Sequence, residues 1–187
     1  MARPAGINFL DVRLVNRAGI GDDGKKIIIV GLIKLFRAVT GAYMDMFPDA
    51  QFPVVQPTFH ENDLRPHDLR CFVLTSAAAS VARRLGSPGL GPGGTTFQSR
   101  RGWVSEVYDD MCETYEAEVK LIFHELMHNK LQMGNEMHTD FDVGFGLARD
   151  QVESTSMANR STSQLTDRNA KAMARHLFDA VPQYAGN

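Results

Sequence analysis

The sequence has few cysteines and lacks segments typical of export or membrane insertion. Its two cysteines, Cys71 and Cys112, are too few for a disulfide framework, so we expect buried thiols in a reducing compartment, although two residues also permit one bridge. No apolar signal run follows Met1, which predicts a cytoplasmic protein or one exported without a cleaved signal. The longest apolar run, residues 27–33, is far shorter than a membrane span, so we expect no membrane partner.

The charged residues are balanced in sign and form no basic stripe. The chain has 20 Lys and Arg against 22 Asp and Glu, and we therefore expect no nucleic-acid partner. A length of 187 residues suits one domain with a hydrophobic core. We predict a single domain that covers residues 1–187; the sequence does not determine the oligomeric state, for which we favour a monomer.

The hydrophobic pattern of the first half predicts strands around one helix. Apolar and polar residues alternate at 7–15, which indicates a strand, and apolar residues recur at helical spacing at 25–46. Residues 52–59 contain two prolines, which predict an edge strand or an extended loop, and residues 69–75 and 95–107 are strand-like. This pattern predicts an α+β fold.

Two further helices and one irregular loop are predicted in the second half. A long helix is expected at 110–133, with Asp110 and Glu113 as its capping box, and a last helix at 166–181. The second part of the long helix is apolar nearly all round, so we expect it to lie inside the domain. Residues 86–94 read GSPGLGPGG, which predicts a flap-like loop, and no Lys-Ser or Lys-Thr pair follows to make it a phosphate-binding loop.

Residues 124–128 read HELMH inside the long predicted helix. The i, i+4 spacing puts His124 and His128 on one helical face, about 6 Å apart along the axis, so both imidazoles can reach one metal ion. Glu125 lies about 100° round the helix from His124 and can reach a metal-bound water without being a ligand. The alternative is that both histidines only pack in the core. We favour the metal site because burying Glu125 between them would otherwise cost several kcal/mol.

The HELMH sequence resembles the HExxH motif of zincin metallopeptidases, which implies zinc as cofactor and Glu125 as general base. The downstream layout is similar to that of metzincins, in which a glycine ends the motif helix and a further His binds zinc. Gly134 and then His138 follow here, at a longer spacing than in that family. The resemblance implies His138 as the third ligand. It also implies Met157, in the sequence STSM at 154–157, as the buried methionine of a Met-turn.

A second zincin branch, the aspzincins, uses Asp as the third ligand in a motif like GTxDxxYG. Residues 138–146 contain Asp142 within Asp-x-x-Phe-Gly, a partial match. Asp142, or secondarily Asp140, is therefore the rival third ligand. We place His138 first because it lies nearer to the predicted helix stop. Both also allow a structural role, His138 as an exposed loop residue and Asp142 as a turn residue.

These resemblances imply a zincin-like α+β fold with a small twisted mixed sheet, a long active-site helix and a C-terminal helix. The upper part, about residues 1–133, would end in the motif helix, and the lower part would cover about 134–187. Residues 95–99 would form an edge strand that pairs with a protein or peptide substrate. The implied function is a zinc-dependent endopeptidase. Two alternatives stay open: a zinc hydrolase of non-peptide amides, and an inactive zincin-like module that binds proteins.

The other histidines give weaker signals. His60 and His67 lie in a stretch with Pro and Asp and allow a second metal site, but loop histidines are usually solvated. His176, on the last predicted helix, suits a surface position better than a role in catalysis. We place none of the three in the zinc site.

Overall fold

The computed structural model describes residues 9–60, 69–78, 93–99, 102–131 and 167–178, and only the backbone of 98–99, 102–103, 128–131, 167–169, 172 and 175–176. The α+β class predicted from the sequence is confirmed by these residues. In chain order the elements are β1 (Phe9–Asn16), α1 (Asp22–Met46), β2 (Val54–His60), β3 (Leu69–Leu74), β4 (Gly94–Ser99), β5 (Gly102–Tyr108), α2 (Tyr115–Leu131) and α3 (Asp167–Phe178).

The five strands form one mixed sheet in the order β2-β1-β3-β5-β4. β1 is parallel to β2 and β3, and β3 is parallel to β5, whereas β4 is antiparallel to β5 with Thr96 opposite Ser105. The prediction of one strand over 95–107 was wrong, because its two halves are separate strands that pair with each other. β2 forms the other edge of the sheet, where Pro57 is tolerated although it lacks an N–H.

The helices pack together with one face of the sheet. Their buried residues share one hydrophobic cluster with the alternating side chains Leu10, Val12, Leu14, Cys71 and Val73 of β1 and β3. α1 contacts β2, and α2 contacts β3, β5 and the edge strand β4. The helix predicted to carry the motif therefore lies against the antiparallel edge of the sheet.

α1 confirms the helical periodicity of its sequence. Its buried face contains Ile28, Leu32, Phe36, Val39 and Tyr43. By length and composition alone, this 25-residue helix is also apolar enough to cross a membrane. In this fold its buried face packs against α2 and α3.

The motif helix begins later than the sequence pattern predicts. Asp109–Met111 form a 3-10 turn, and α2 follows only after Thr114, whose Oγ1 accepts a hydrogen bond from the N–H of Ala117 at 3.2 Å. Asp110 does not cap α2. Its carboxylate instead accepts hydrogen bonds from the N–H and the hydroxyl of Ser76, both at 2.6 Å. The predicted capping box was wrong because a contact from a distant segment engages its first residue.

The residues around the start of α2 are less buried than their apolar character predicts. Met111 and Tyr115, which the sequence pattern places on an apolar helical face, are 47% and 36% exposed, and Cys112 is half-buried. Burial begins at Glu118 and Val119, and Ile122, Phe123, Leu126 and Met127 are fully enclosed. The prediction that the helix enters the domain is therefore confirmed for its second part.

The last helix is confirmed close to its predicted start. α3 begins at Asp167, one residue after the predicted start at 166, and buries Ala170, Met173, Ala174, Leu177 and Phe178. The Phe178 ring packs edge-on against Tyr43 of α1, with 5.3 Å between the ring centroids. The division at 133–134 and residue 181 lie outside the described residues.

Candidate active site

The HELMH motif lies within α2, and its backbone is helical at all five positions. His124 is 3% exposed and Glu125 is 6% exposed, so both side chains enter the protein interior. The backbone of His128 follows one turn later, about 6 Å along the axis, on the same helical face as His124. Its side chain lies outside the described residues.

Two hydroxyl groups of the sheet hold Glu125. Thr96 Oγ1 lies 2.7 Å from Glu125 Oε2 and 2.9 Å from the Glu125 main-chain O, and Ser105 Oγ lies 2.9 Å from that same O. The two hydroxyl oxygens are 2.9 Å apart. Each hydroxyl has one proton, and an ionised carboxylate is the stronger acceptor, so Thr96 donates to Oε2 and Ser105 donates to the main-chain O. The sheet edge therefore orients the carboxylate of Glu125.

Gly94 gives the Glu125 side chain its space. A Cβ at this first residue of β4 would lie 3.1 Å from both Cγ and Oε1 of Glu125, and 3.0 Å from the main-chain O of Glu106. Such separations are shorter than ordinary van der Waals contact. The predicted glycine-rich loop 86–94 thus ends in a glycine that lets β4 approach α2 closely, while residues 86–92 lie outside the described residues.

Negative charge accumulates around Cys71 of β3. Burial raises the pKa of the Cys71 thiol well above its ordinary value, and the charges of Glu125, Glu118 and Glu106 raise it further. A protonated thiol is neither a nucleophile nor a good metal ligand at neutral pH. Neither Cys71 nor Cys112 forms a disulfide, in agreement with the expectation of thiols.

Several predicted site residues lie outside the described residues. These are His138, its rival Asp142, and Met157 of the predicted Met-turn, so their roles stay predictions. Among the side chains that the structure describes, no group of three or more His, Cys, Asp and Glu is arranged to hold a metal ion. Of the predicted catalytic set, the structure describes the side chains of His124 and Glu125, and both are buried.

The other histidines are remote from this pair or are not described. His60 lies in β2, at the sheet edge opposite β4, with Nε2 2.9 Å from the hydroxyl of Thr58. Four strand spacings separate the two edges, or about 19 Å. The side chains of His67 and His176 lie outside the described residues.

Sequence reasoning missed the contributions of Thr96 and Ser105. The available signal was a polar residue at an inward position of each strand, since a buried hydroxyl requires a partner. Ser105 is fully buried and contacts Glu125 of α2. One continuous strand over 95–107 would not have placed the two residues opposite each other, so their joint contact with Glu125 was not predictable.

Comparison with known proteins assigns no family. No protein-family model, curated protein or solved structure matches this chain significantly. The function is therefore inferred from the residues and the geometry described above.

Proposed function

We propose that this chain is a zinc-dependent endopeptidase with Glu125 as its general base. The observation that carries the proposal is the position of Glu125 directly after the buried His124, with its carboxylate oriented by the Thr96 hydroxyl of the edge strand. Adjacent imidazole and carboxylate groups are costly to bury in an apolar core, and such groups concentrate in catalytic centres. The HELMH spacing gives His124 a role as a metal ligand and Glu125 a role as the general base.

The arrangement of sheet and helix supports a zincin-like fold for the described part. α2 packs against β4 and β5, and β4 is an antiparallel edge strand. That is the position that the zincin resemblance assigns to the strand lining the substrate cleft. No described strand pairs with the outer side of β4, so an extended peptide can add to the sheet there through main-chain hydrogen bonds. This edge favours a peptide over the non-peptide amide alternative.

His124 and His128 would hold the zinc ion through their imidazole nitrogens. The described residues fit this role because His124 is buried beside Glu125 and the backbone of His128 lies one helical turn further on. When bound, zinc polarises the scissile carbonyl and acidifies the attacking water. Glu125 accepts the proton of that water and passes it to the leaving amine. Thr96 holds the Glu125 carboxylate in one orientation during both transfers.

The third zinc ligand in this proposal is His138, with Asp142 as the rival. We expect His138→Ala to lower zinc affinity by more than the roughly 10 to 100-fold typical of changes next to a metal ligand, and Asp142→Ala to leave affinity largely unchanged. Chelator competition on the purified variants measures both. The opposite ranking would assign Asp142 and favour the aspzincin-like arrangement.

Glu125→Gln tests the proposed function directly. The parent should bind about one zinc ion per chain and cleave proteins or peptides. Gln is nearly isosteric but cannot accept a proton at neutral pH, so the variant should keep its zinc and lose about 10² to 10⁴-fold in kcat. Glu116→Gln is the matched control, because it removes the same charge from an exposed position of the same helix.

The readouts are kcat on a cleaved substrate and zinc content by elemental analysis on the same samples. A Glu125→Gln variant that retains zinc and cleaves at the parental rate would exclude Glu125 as the base. A zinc-loaded parent that cleaves nothing across a broad protein panel would favour the binding-module alternative. A parent that takes up no zinc would overturn the metal site itself.

A further inference from the structure

A polar cavity lies at the N-terminal end of α2, away from the HELMH motif. Its volume is about 340 Å³. The six residues that line it include three acids and no Lys, Arg or His: Asp109, Cys112, Glu113, Thr114, Tyr115 and Glu118. Glu118 precedes His124 by six residues, or about 9 Å along the helix axis, so this cavity is separate from the proposed zinc site.

The carboxylate of Glu118 is buried in this cavity wall. Glu118 is 0% exposed, and neither Oε1 nor Oε2 accepts a hydrogen bond from an N–H group or a hydroxyl of the described residues. A buried ionised carboxylate is strongly destabilising unless a proton, a cation or several donors compensate it. None of these six described residues carries a positive charge that could compensate an ionised Glu118.

Asp109 faces the same group and adds a second negative charge. Burial, followed by the charge of Asp109 and a hydrogen bond to it, raises the pKa of Glu118 from its ordinary value of 4.5 to about 8. That hydrogen bond exists only when one of the two carboxyl groups is protonated, because two carboxylates have no donor between them. The pair therefore requires either a shared proton or a positive ion.

We propose that Asp109 and Glu118 bind a hard divalent cation of the Mg²⁺ and Ca²⁺ class. Oxygen ligands are those that these ions prefer, and one or two carboxylates completed by water are typical of Mg²⁺. Thr114 lines the same cavity and offers one further oxygen, and water molecules would complete the coordination sphere. A site with two protein carboxylates agrees with the finding that no described group holds three acidic, His or Cys ligands.

Bound there, the cation has a structural role. Asp109 belongs to the 3-10 turn after β5, and Glu118 to the first turns of α2. A shared ion joins these two elements and so determines where the motif helix begins.

The test uses the full-length, zinc-loaded protein and measures its Tm with MgCl2 or CaCl2 up to about 10 mM, in the range where weak sites of this class fill. At about 100-fold excess over Kd, the parent Tm should rise by roughly 5 to 10 °C. Glu118→Gln should abolish the rise, and so should Asp109→Asn, which changes a less buried partner. Glu116→Gln, an exposed acid outside the cavity, should respond like the parent.

Zinc content is measured on every sample, so that loss of the motif's metal is not mistaken for loss of this site. The proposal is overturned if neither Mg²⁺ nor Ca²⁺ raises the Tm of the parent, or if both cavity variants respond as strongly as the parent. A rise with added zinc alone would overturn the assignment to a hard cation. The ion that raises the Tm at the lower concentration, Mg²⁺ or Ca²⁺, is the one that the site prefers.

Discussion

Thr96→Val removes the hydroxyl that orients the proposed general base. Val has nearly the same shape as Thr and suits a β-strand, so β4 should keep its pairing with β5. The lost interaction is the 2.7 Å hydrogen bond from Thr96 Oγ1 to Glu125 Oε2. Hydrogen bonds to charged groups contribute about 1.5 to 3 kcal/mol. If this contribution is realised in the transition state, kcat should fall by about 10 to 150-fold.

Ser105→Ala is the matched control for this variant. Ser105 Oγ contacts the main-chain O of Glu125 at 2.9 Å, whereas Thr96 Oγ1 contacts the carboxylate. Its loss should cost about 0.5 to 1.5 kcal/mol of stability, with less than a threefold change in kcat. Thr96→Ser keeps the hydroxyl and should retain most of the parental activity.

The assay is steady-state cleavage by zinc-loaded variants, with zinc content and Tm measured on the same samples. A Thr96→Val variant that keeps its zinc and the parental kcat would refute the role of this hydroxyl. Equal loss of kcat in the Ser105→Ala variant would show that general stability, and not orientation of the carboxylate, controls activity.

Two further predictions concern stability. Gly31→Ala should destabilise the protein by about 1 to 3 kcal/mol, because its Cβ would lie 2.7 Å from Val119 Cγ2 where α1 crosses α2. Gly41→Ala is the control: nothing lies within 4 Å of its added Cβ, so it should stabilise the protein by about 0.5 to 1 kcal/mol. If urea unfolding gave the same change in stability for both variants, the contact between Gly31 and Val119 would be contradicted. Without divalent cations, the free energy of unfolding should fall as pH rises from 4.5 to about 8, because folded Glu118 keeps a proton that the unfolded chain loses. Glu118→Gln should remove that decrease, which is on the order of 2 to 4 kcal/mol, and identical pH profiles for parent and variant would count against the buried carboxyl pair.

Local pattern was sufficient for much of the fold because periodicity reports which face of an element is buried. The buried face of α1, the edge position of β2 and the start of α3 were all predictable in this way. The placement of His124 and Glu125 on a buried helix was predictable for the same reason, since HELMH lies in a run of apolar residues. These features depend on neighbours within a few turns or one strand.

The tertiary structure decided the contacts that join distant segments. Residues 95–107 read as one strand because alternation alone does not show where a chain reverses, and only the pairing of β4 with β5 places Thr96 and Ser105 beside Glu125. Asp is a residue type that often caps helices, yet the carboxylate of Asp110 accepts hydrogen bonds from Ser76, which lies 34 residues away in the sequence. The interaction between the carboxyl groups of Asp109 and Glu118 likewise depends on how the turn after β5 meets α2. Electrostatic energy depends on distance in space and on burial, and a local sequence pattern contains neither.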